Sequence, residues 1–214
     1  MADLQITTDV LLSLLSHELR APLGVVRGYL RMLEQGGGLD ERQAKAVAGG
    51  TAGGDRLAAL LDQASLLGRL VRAEVGGERR AMDVAALLER ARAIAMLPSD
   101  PVVGVSVPAP AAGTVPVVEP LVSGSLAALV TAVARAQAHD TTITITAARH
   151  DDRTRFRVVL AGAEEPDRVP PDYRRGGQGL DLVLAGAVAA AHDGTLMQLM
   201  NGDTLAGFEL EILG

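Results

Sequence analysis

The N-terminal region carries a helical pattern of apolar positions. Leu12, Leu15, Leu19, Leu23, Val26, Leu30 and Leu33 recur at intervals of 3, 4, 4, 3, 4 and 3, which places them on one seam of a helix that packs in a bundle. Asp9 stands where an N-cap is expected, and Gly36-Gly37-Gly38 supplies the stop. A second helix restarts at Leu39-Asp40-Glu41 with Asp40 as its cap. Its best apolar run, Leu57, Leu60, Ala64, Leu67 and Val71, repeats 3, 4, 3, 4. Gly49, Gly50, Gly53 and Gly54 weaken its middle, each by up to about 1 kcal/mol relative to alanine, so a break there stays open. A hairpin of two such helices cannot cover its own seam. Pairing with a second copy into a four-helix bundle is the economical solution, and it predicts a homodimer.

Glu74 to Arg80, with Gly76-Gly77, reads as a linker, and the texture changes beyond it. Asp83 caps a helix through Met96, Pro98 to Pro120 suits short strands and turns, and Ser123 to Gln137 is an Ala-rich helix. Thr141 to Ala147 and Arg155 to Leu160 alternate with period two around His150-Asp151-Asp152, the pattern of a hairpin. Gly179 to His192 is helical, and Thr195 to Met200 with Thr204 to Ile212 forms a second hairpin around Asn201-Gly202-Asp203. The fold class is α+β: a helical hairpin over residues 1–75, then a small α/β sandwich over 81–214 with helices on one face of a mixed sheet.

Composition narrows the chemistry. With no Cys there is no disulfide scaffold, thiolate metal site or Cys nucleophile. Four aromatic residues leave a core of Ala, Leu and Val, and a net charge of −6 argues against a nucleic-acid partner. Lys45 is the sole lysine, so a lysine-dependent phosphate site has almost nothing to use. No apolar run is long enough to span a bilayer and Met1 to Gln5 has no basic cluster, so the chain reads as cytoplasmic. His139, His150 and His192 lack ligand spacing and no metal site is predicted; His192 reads as a helix-terminal residue interacting with the dipole.

Ser16-His17-Glu18-Leu19-Arg20-Ala21-Pro22-Leu23 is the most informative stretch. His17 lies two residues from both Leu15 and Leu19, so it points away from the seam. Its neighbours three or four residues away on the helix, or next to them, are Ser13, Arg20, Ala21 and Gly24. All but Arg20 are small, which lets a partner protein approach. Glu18 can accept a proton from one ring nitrogen and raise the nucleophilicity of the other. Pro22 removes an intrahelical bond and frees the carbonyl of Glu18. The alternative is an ordinary surface histidine.

His17-Glu18-Leu19-Arg20-Ala21-Pro22-Leu23 closely resembles the phosphoacceptor box of sensor histidine kinases, usually His-Glu-Leu-Arg-Thr-Pro-Leu. Arg56-Leu57 through Arg69-Leu70 resembles that family's second dimerisation helix. Gly177-Gln178-Gly179-Leu180-Asp181-Leu182 with His192-Asp193-Gly194 resembles its last glycine box. The resemblance implies that His17 carries a phosphoryl group with Glu18 as its acid/base partner. It implies an ATP-binding second domain as well, and here the pattern fails. The asparagine expected to hold Mg²⁺ falls at Thr131, with Arg135 nearby. Leu160 replaces the aspartate of the adenine turn, and the segment from Glu165 to Gly176 is short for a lid. Asp181 replaces the third glycine and puts a negative charge where phosphates would sit. Ala21 stands where related phosphatases keep Thr or Asn to orient a water.

Gly177, Gly179 and Thr131 therefore read as vestigial, with no firmly bound cofactor and no ATP. The chain is expected to be a dimeric histidine phosphotransferase that relays a phosphoryl group between response-regulator receiver domains through His17, with Mg²⁺ supplied by the receiver and the second domain serving for docking. With only about ten residues before the first helix, no sensor domain is expected. The alternatives are an ATP-dependent histidine kinase with a divergent nucleotide site, and a pseudokinase adaptor that binds receivers without transfer. Arg149, Arg153, Arg155 and Arg157 form a charged strand face, solvated or docking a partner, and Arg174-Arg175 is a residual anion site.

Overall fold

The computed structural model describes residues 8–71, 78–95, 97, 102–108, 113–163, 165–173 and 180–214; side chains are described from residue 18 in the first helix and to residue 69 in the second. The chain divides into two compact units, Met1–Val75 and Gly76–Gly214.

The first unit is an antiparallel hairpin of α1 (Thr8–Gly36) and α2 (Glu41–Val71). Asp9 lies inside the first turn rather than at the cap, because the helix already includes Thr8. Gly37 and Gly38 take φ of 67° and 74°, a left-handed backbone that ends α1 at little cost for glycine. The start of α2 is a reciprocal capping box. The Gln43 amide donates to Asp40 Oδ1 at 2.7 Å, and the Asp40 amide donates to Gln43 Oε1 at 3.0 Å.

α2 is continuous through its glycines, and they explain the packing. Its buried positions are Val47, Gly54, Leu61, Ala64 and Gly68; of the expected run, Ala64 is buried, Leu60 and Leu67 are half-buried, Leu57 is exposed, and the Val71 side chain lies outside the described residues. A Cβ at Gly50 would sit 3.1 Å from Leu30 Cδ2, and one at Gly54 would sit 3.0 Å from Arg27 Cγ. These glycines let the two helices approach closely, so the helix propensity they cost is offset by contact.

The second unit contains β1 (Arg80–Asp83), α3 (Val84–Ile94), β2 (Val103–Ser106), β3 (Thr114–Val117), α4 (Glu119–Arg135), β4 (Thr141–His150), β5 (Arg153–Leu160), β6 (Asp167–Val169), α5 (Asp181–Ala191), β7 (Thr195–Asn201) and β8 (Thr204–Leu213). β1 pairs with β3. The other strands form a six-stranded sheet in the order β2-β4-β5-β8-β7-β6, antiparallel except where β2 runs parallel to β4. Asp83 caps α3 by accepting the Ala86 amide at 2.9 Å.

Ile143, Ile145, Phe156, Val158, Phe208, Leu210 and Ile212 are wholly buried on one face of the sheet. α4 and α5 pack on that face, and α3 packs against α4. α4 is buried almost all round, as its apolar and small side chains require. β1 begins at Arg80, the last residue of the expected linker, and β6 lies within the segment from Glu165 to Gly176; strands of three or four residues carry no readable alternation. Among the described residues no helix is long and apolar enough to cross a membrane.

Candidate functional site

His17 lies within α1, one turn before Arg20; its side chain and that of Ser13 lie outside the described residues. α1 runs on through Pro22, which has no amide hydrogen to offer the Glu18 carbonyl. Glu18, Arg20, Ala21, Pro22 and Gly24 are exposed, and a Cβ at Gly24 would meet nothing within 4 Å.

Arg20 is tied to α2 while its side chain stays 46% exposed. It donates to Asp62 Oδ1 at 2.7 Å and to Ser65 Oγ at 3.2 Å, and one heptad further along Arg27 meets Asp55 at 2.6 Å. Arginines seven apart on α1 and aspartates seven apart on α2, in reverse order, set the antiparallel register. The seven-residue spacings Arg20/Arg27 and Asp55/Asp62 are visible in the sequence itself.

Beside this strip α1 exposes an apolar stripe of Leu19, Val25, Val26, Tyr29, Met32 and Leu33, with Tyr29 65 % and Met32 67 % exposed. α2 covers Leu23 and part of Leu30, so only part of the expected seam is used within the hairpin.

In the second unit, Thr131 is buried and its Oγ1 donates to the Ala127 carbonyl at 2.9 Å. Arg135, at the end of α4, meets Asp181 Oδ2 at 3.3 Å. Asp181 is buried at the first position of α5, where the helix N-terminus favours its negative charge. Leu160 ends β5 half-buried, with Gly162 following at φ 77°. Gly177, Gly179, Arg174 and Arg175 lie outside the described residues.

His192 is 1 % exposed, and both its ring nitrogens are engaged. Nδ1 lies 2.8 Å from the Val188 carbonyl, and Nε2 accepts the Val118 amide at 3.2 Å, which fixes a neutral ring protonated on Nδ1. Burial pushes its pKa below the ordinary value, and nearby Arg79 acts in the same direction. The ring is therefore a neutral clasp between α5 and the start of α4, not a charge on the helix dipole. Arg79 adds a second tie, donating to the Ala191 carbonyl at 2.7 Å and Asp193 Oδ2 at 2.9 Å.

The arginine face also differs from expectation. Arg149 pairs across the strands with Thr154, on the helix side, whereas Arg153, Arg155 and Arg157 alternate onto the outer side. There they meet Glu209 and Glu211 of β8 and are joined by Arg168 of β6. His139 and His150 are exposed, and among the described residues no cluster of His, Asp or Glu could hold a metal ion.

Residues 9–72 match the His Kinase A (phospho-acceptor) domain family. Solved structures share the fold of the whole chain. The full-length ShkA structure in complex with AMPPNP is 23% identical, with TM-score 0.63 over 96% of this chain and 45% of that one. The Acinetobacter baumannii histidine kinase AdeS is 19% identical, with TM-score 0.60 over 92% of this chain and 97% of that one. Histidine kinase ThkA, solved in complex with response regulator protein TrrA, is 15% identical, with TM-score 0.58 over 93% of this chain and 59% of that one. The chain thus spans under half the length of the ShkA chain. No curated protein matches it in sequence. Residues 9–72 thus form a domain of the His Kinase A (phospho-acceptor) family, and the chain shares its fold with solved histidine kinases.

Proposed function

We propose that this chain is a histidine phosphotransferase of two-component signalling, carrying a phosphoryl group on His17 between receiver domains. The observation that carries the reading is the Arg135–Asp181 ion pair at the start of α5. The resemblance requires open donors for nucleotide phosphates at that helix end, and a buried carboxylate stands there instead. Thr131 is buried in α4 and offers a neutral hydroxyl where the resemblance expects an asparagine, and Leu160 offers adenine no carboxylate. These residues do not fit Mg²⁺–ATP, and no step is routed through it.

Transfer then runs by positioning. A phosphorylated receiver docks beside Ala21 and Gly24, whose small side chains leave room for close approach. The unprotonated nitrogen of the neutral His17 imidazole attacks phosphorus in line. The N–P bond forms, the P–O bond to the receiver's aspartate breaks, and that carboxylate leaves with the electron pair. Glu18 takes the proton from the other ring nitrogen, and the steps reverse when a second receiver's aspartate attacks. Mg²⁺ belongs to the receiver's side of this complex.

The exposed stripe of Leu19, Val25, Val26, Tyr29, Met32 and Leu33 supports a homodimer, since each such side chain gains about 1.5–3 kcal/mol when fully buried. The retained fold of the second unit favours the alternative of an ATP-dependent kinase, and an adaptor without transfer is the third reading. The test is to mix the purified chain with a receiver labelled on its aspartate. Acid-labile label that moves to the chain and is absent in His17→Ala supports the relay; a chain that stays unlabelled refutes it.

A further inference from the structure

We propose that the outer face of the six-stranded sheet is a docking surface for an acidic segment of a partner protein, held by Arg157 and Arg168 with Arg153 and Arg155 flanking them. This surface belongs to the second unit, and the proposal does not depend on phosphoryl transfer.

The face carries more positive charge than its own acids neutralise. Four guanidiniums surround two carboxylates, Glu209 and Glu211, in a chain whose net charge is −6. Glu209 is 3 % exposed and sits between Arg168 at 2.7 Å, Arg155 at 3.3 Å and Arg157 at 3.6 Å. Glu211 takes Arg155 at 3.1 Å and Arg153 at 3.6 Å.

Arg157 is the least satisfied of the four. Its Nε is buried without a hydrogen-bond partner, and its nearest carboxylate oxygen stands beyond hydrogen-bond reach at 3.6 Å. Beside it opens a hollow of about 250 Å³, lined by Thr144, Thr146, Val159 and the loop after β5. The threonines alternate onto the same face as Arg157, so two hydroxyls and a guanidinium border one space. The loop adds one acid, Glu165, and the face stays net positive.

Ion pairing to this buried carboxylate restricts the arginine side chains before any partner binds, which lowers the entropy that binding costs. The arginines are thus ordered in advance along β5 and across to β6, with Arg157 and Arg168 still 40 % and 46 % exposed. Ordered, half-exposed arginines beside hydroxyls suit carboxylates presented in a row, as an acidic peptide presents them.

The experiment is fluorescence anisotropy of the full chain with a labelled peptide of alternating Glu and Ser at low ionic strength. Binding should weaken about tenfold in Arg157→Gln/Arg168→Gln and stay unchanged in Arg149→Gln on the opposite face. Because the double variant strips partners from Glu209, Thr146→Glu serves as a second test. It keeps all four arginines and offers Arg157 a carboxylate from the chain itself, so it should displace the peptide with the fold intact. Absence of peptide binding by the unmodified chain overturns the proposal. So does binding that Thr146→Glu leaves unaltered, or inorganic polyphosphate of equal charge binding as tightly as the peptide.

Discussion

Replacing His192 by alanine should destabilise the second unit by about 3 kcal/mol: roughly 1 kcal/mol for each of two hydrogen bonds, and the remainder for leaving the Val118 amide without an acceptor. The loss falls where α4 begins and α5 ends, so it loosens the pair of helices that covers the sheet. Hydrogen exchange of the β5 and β8 amides in the full chain reads this locally, without assuming that both units unfold together.

The same clasp makes a prediction about pH. Burial holds the folded pKa of His192 below its ordinary 6.5, while the unfolded chain binds a proton near that value. Above about pH 6.5 the stabilisation is fully present. As pH falls through the window down to the folded pKa it is lost, at most about 1.4 kcal/mol per pH unit. A protonated Nε2 would also turn a donor toward the Val118 amide. His192→Gln, whose amide can donate and accept but not titrate, should show a flatter profile across this window. If the unmodified chain and His192→Gln lose protection equally between about pH 7 and pH 5, the neutral clasp is refuted.

Asp40→Ala should lower the stability of the first unit by about 1 kcal/mol, read as a lower melting temperature of the hairpin's helical signal, because it dissolves the capping box. Gly54→Leu should cost roughly 1–3 kcal/mol in the same assay, since the added side chain starts 3.0 Å from Arg27 Cγ and must push that residue off Asp55. Gly207→Ala should cost more than about 2 kcal/mol, or leave the chain insoluble, because its Cβ would run into the Val158 carbonyl and backbone cannot step aside; urea titration measures the first outcome and yield the second.

The long elements were legible because their signals are local. The α1 repeat, the Asp40 and Asp83 caps and the two hairpins rest on residues close in sequence. The full contact face of α2 was not, since hydrophobic periodicity is blind to glycine, and Gly50 and Gly54 are where α1 comes close. Arg149 falls on the other side of the sheet from Arg153, Arg155 and Arg157 because the two-residue turn at Asp151-Asp152 sets it opposite Thr154. Arg168 and the clasp of His192, Val118 and Arg79 join residues far apart along the chain, which no single-sequence pattern reports. For the candidate site, the histidine box was readable on its own. The ties of Arg20 to α2 and of Arg135 to Asp181 needed the fold.

The most direct test of the relay is a two-donor comparison on the purified chain: acid-labile phosphate per chain after exposure to labelled ATP with Mg²⁺, and after exposure to a phosphorylated receiver. The account predicts label from the receiver alone, lost in His17→Ala. Label from ATP that His17→Ala removes would make the chain a working kinase and contradict the reading of Thr131, Leu160 and Asp181 as unable to support one.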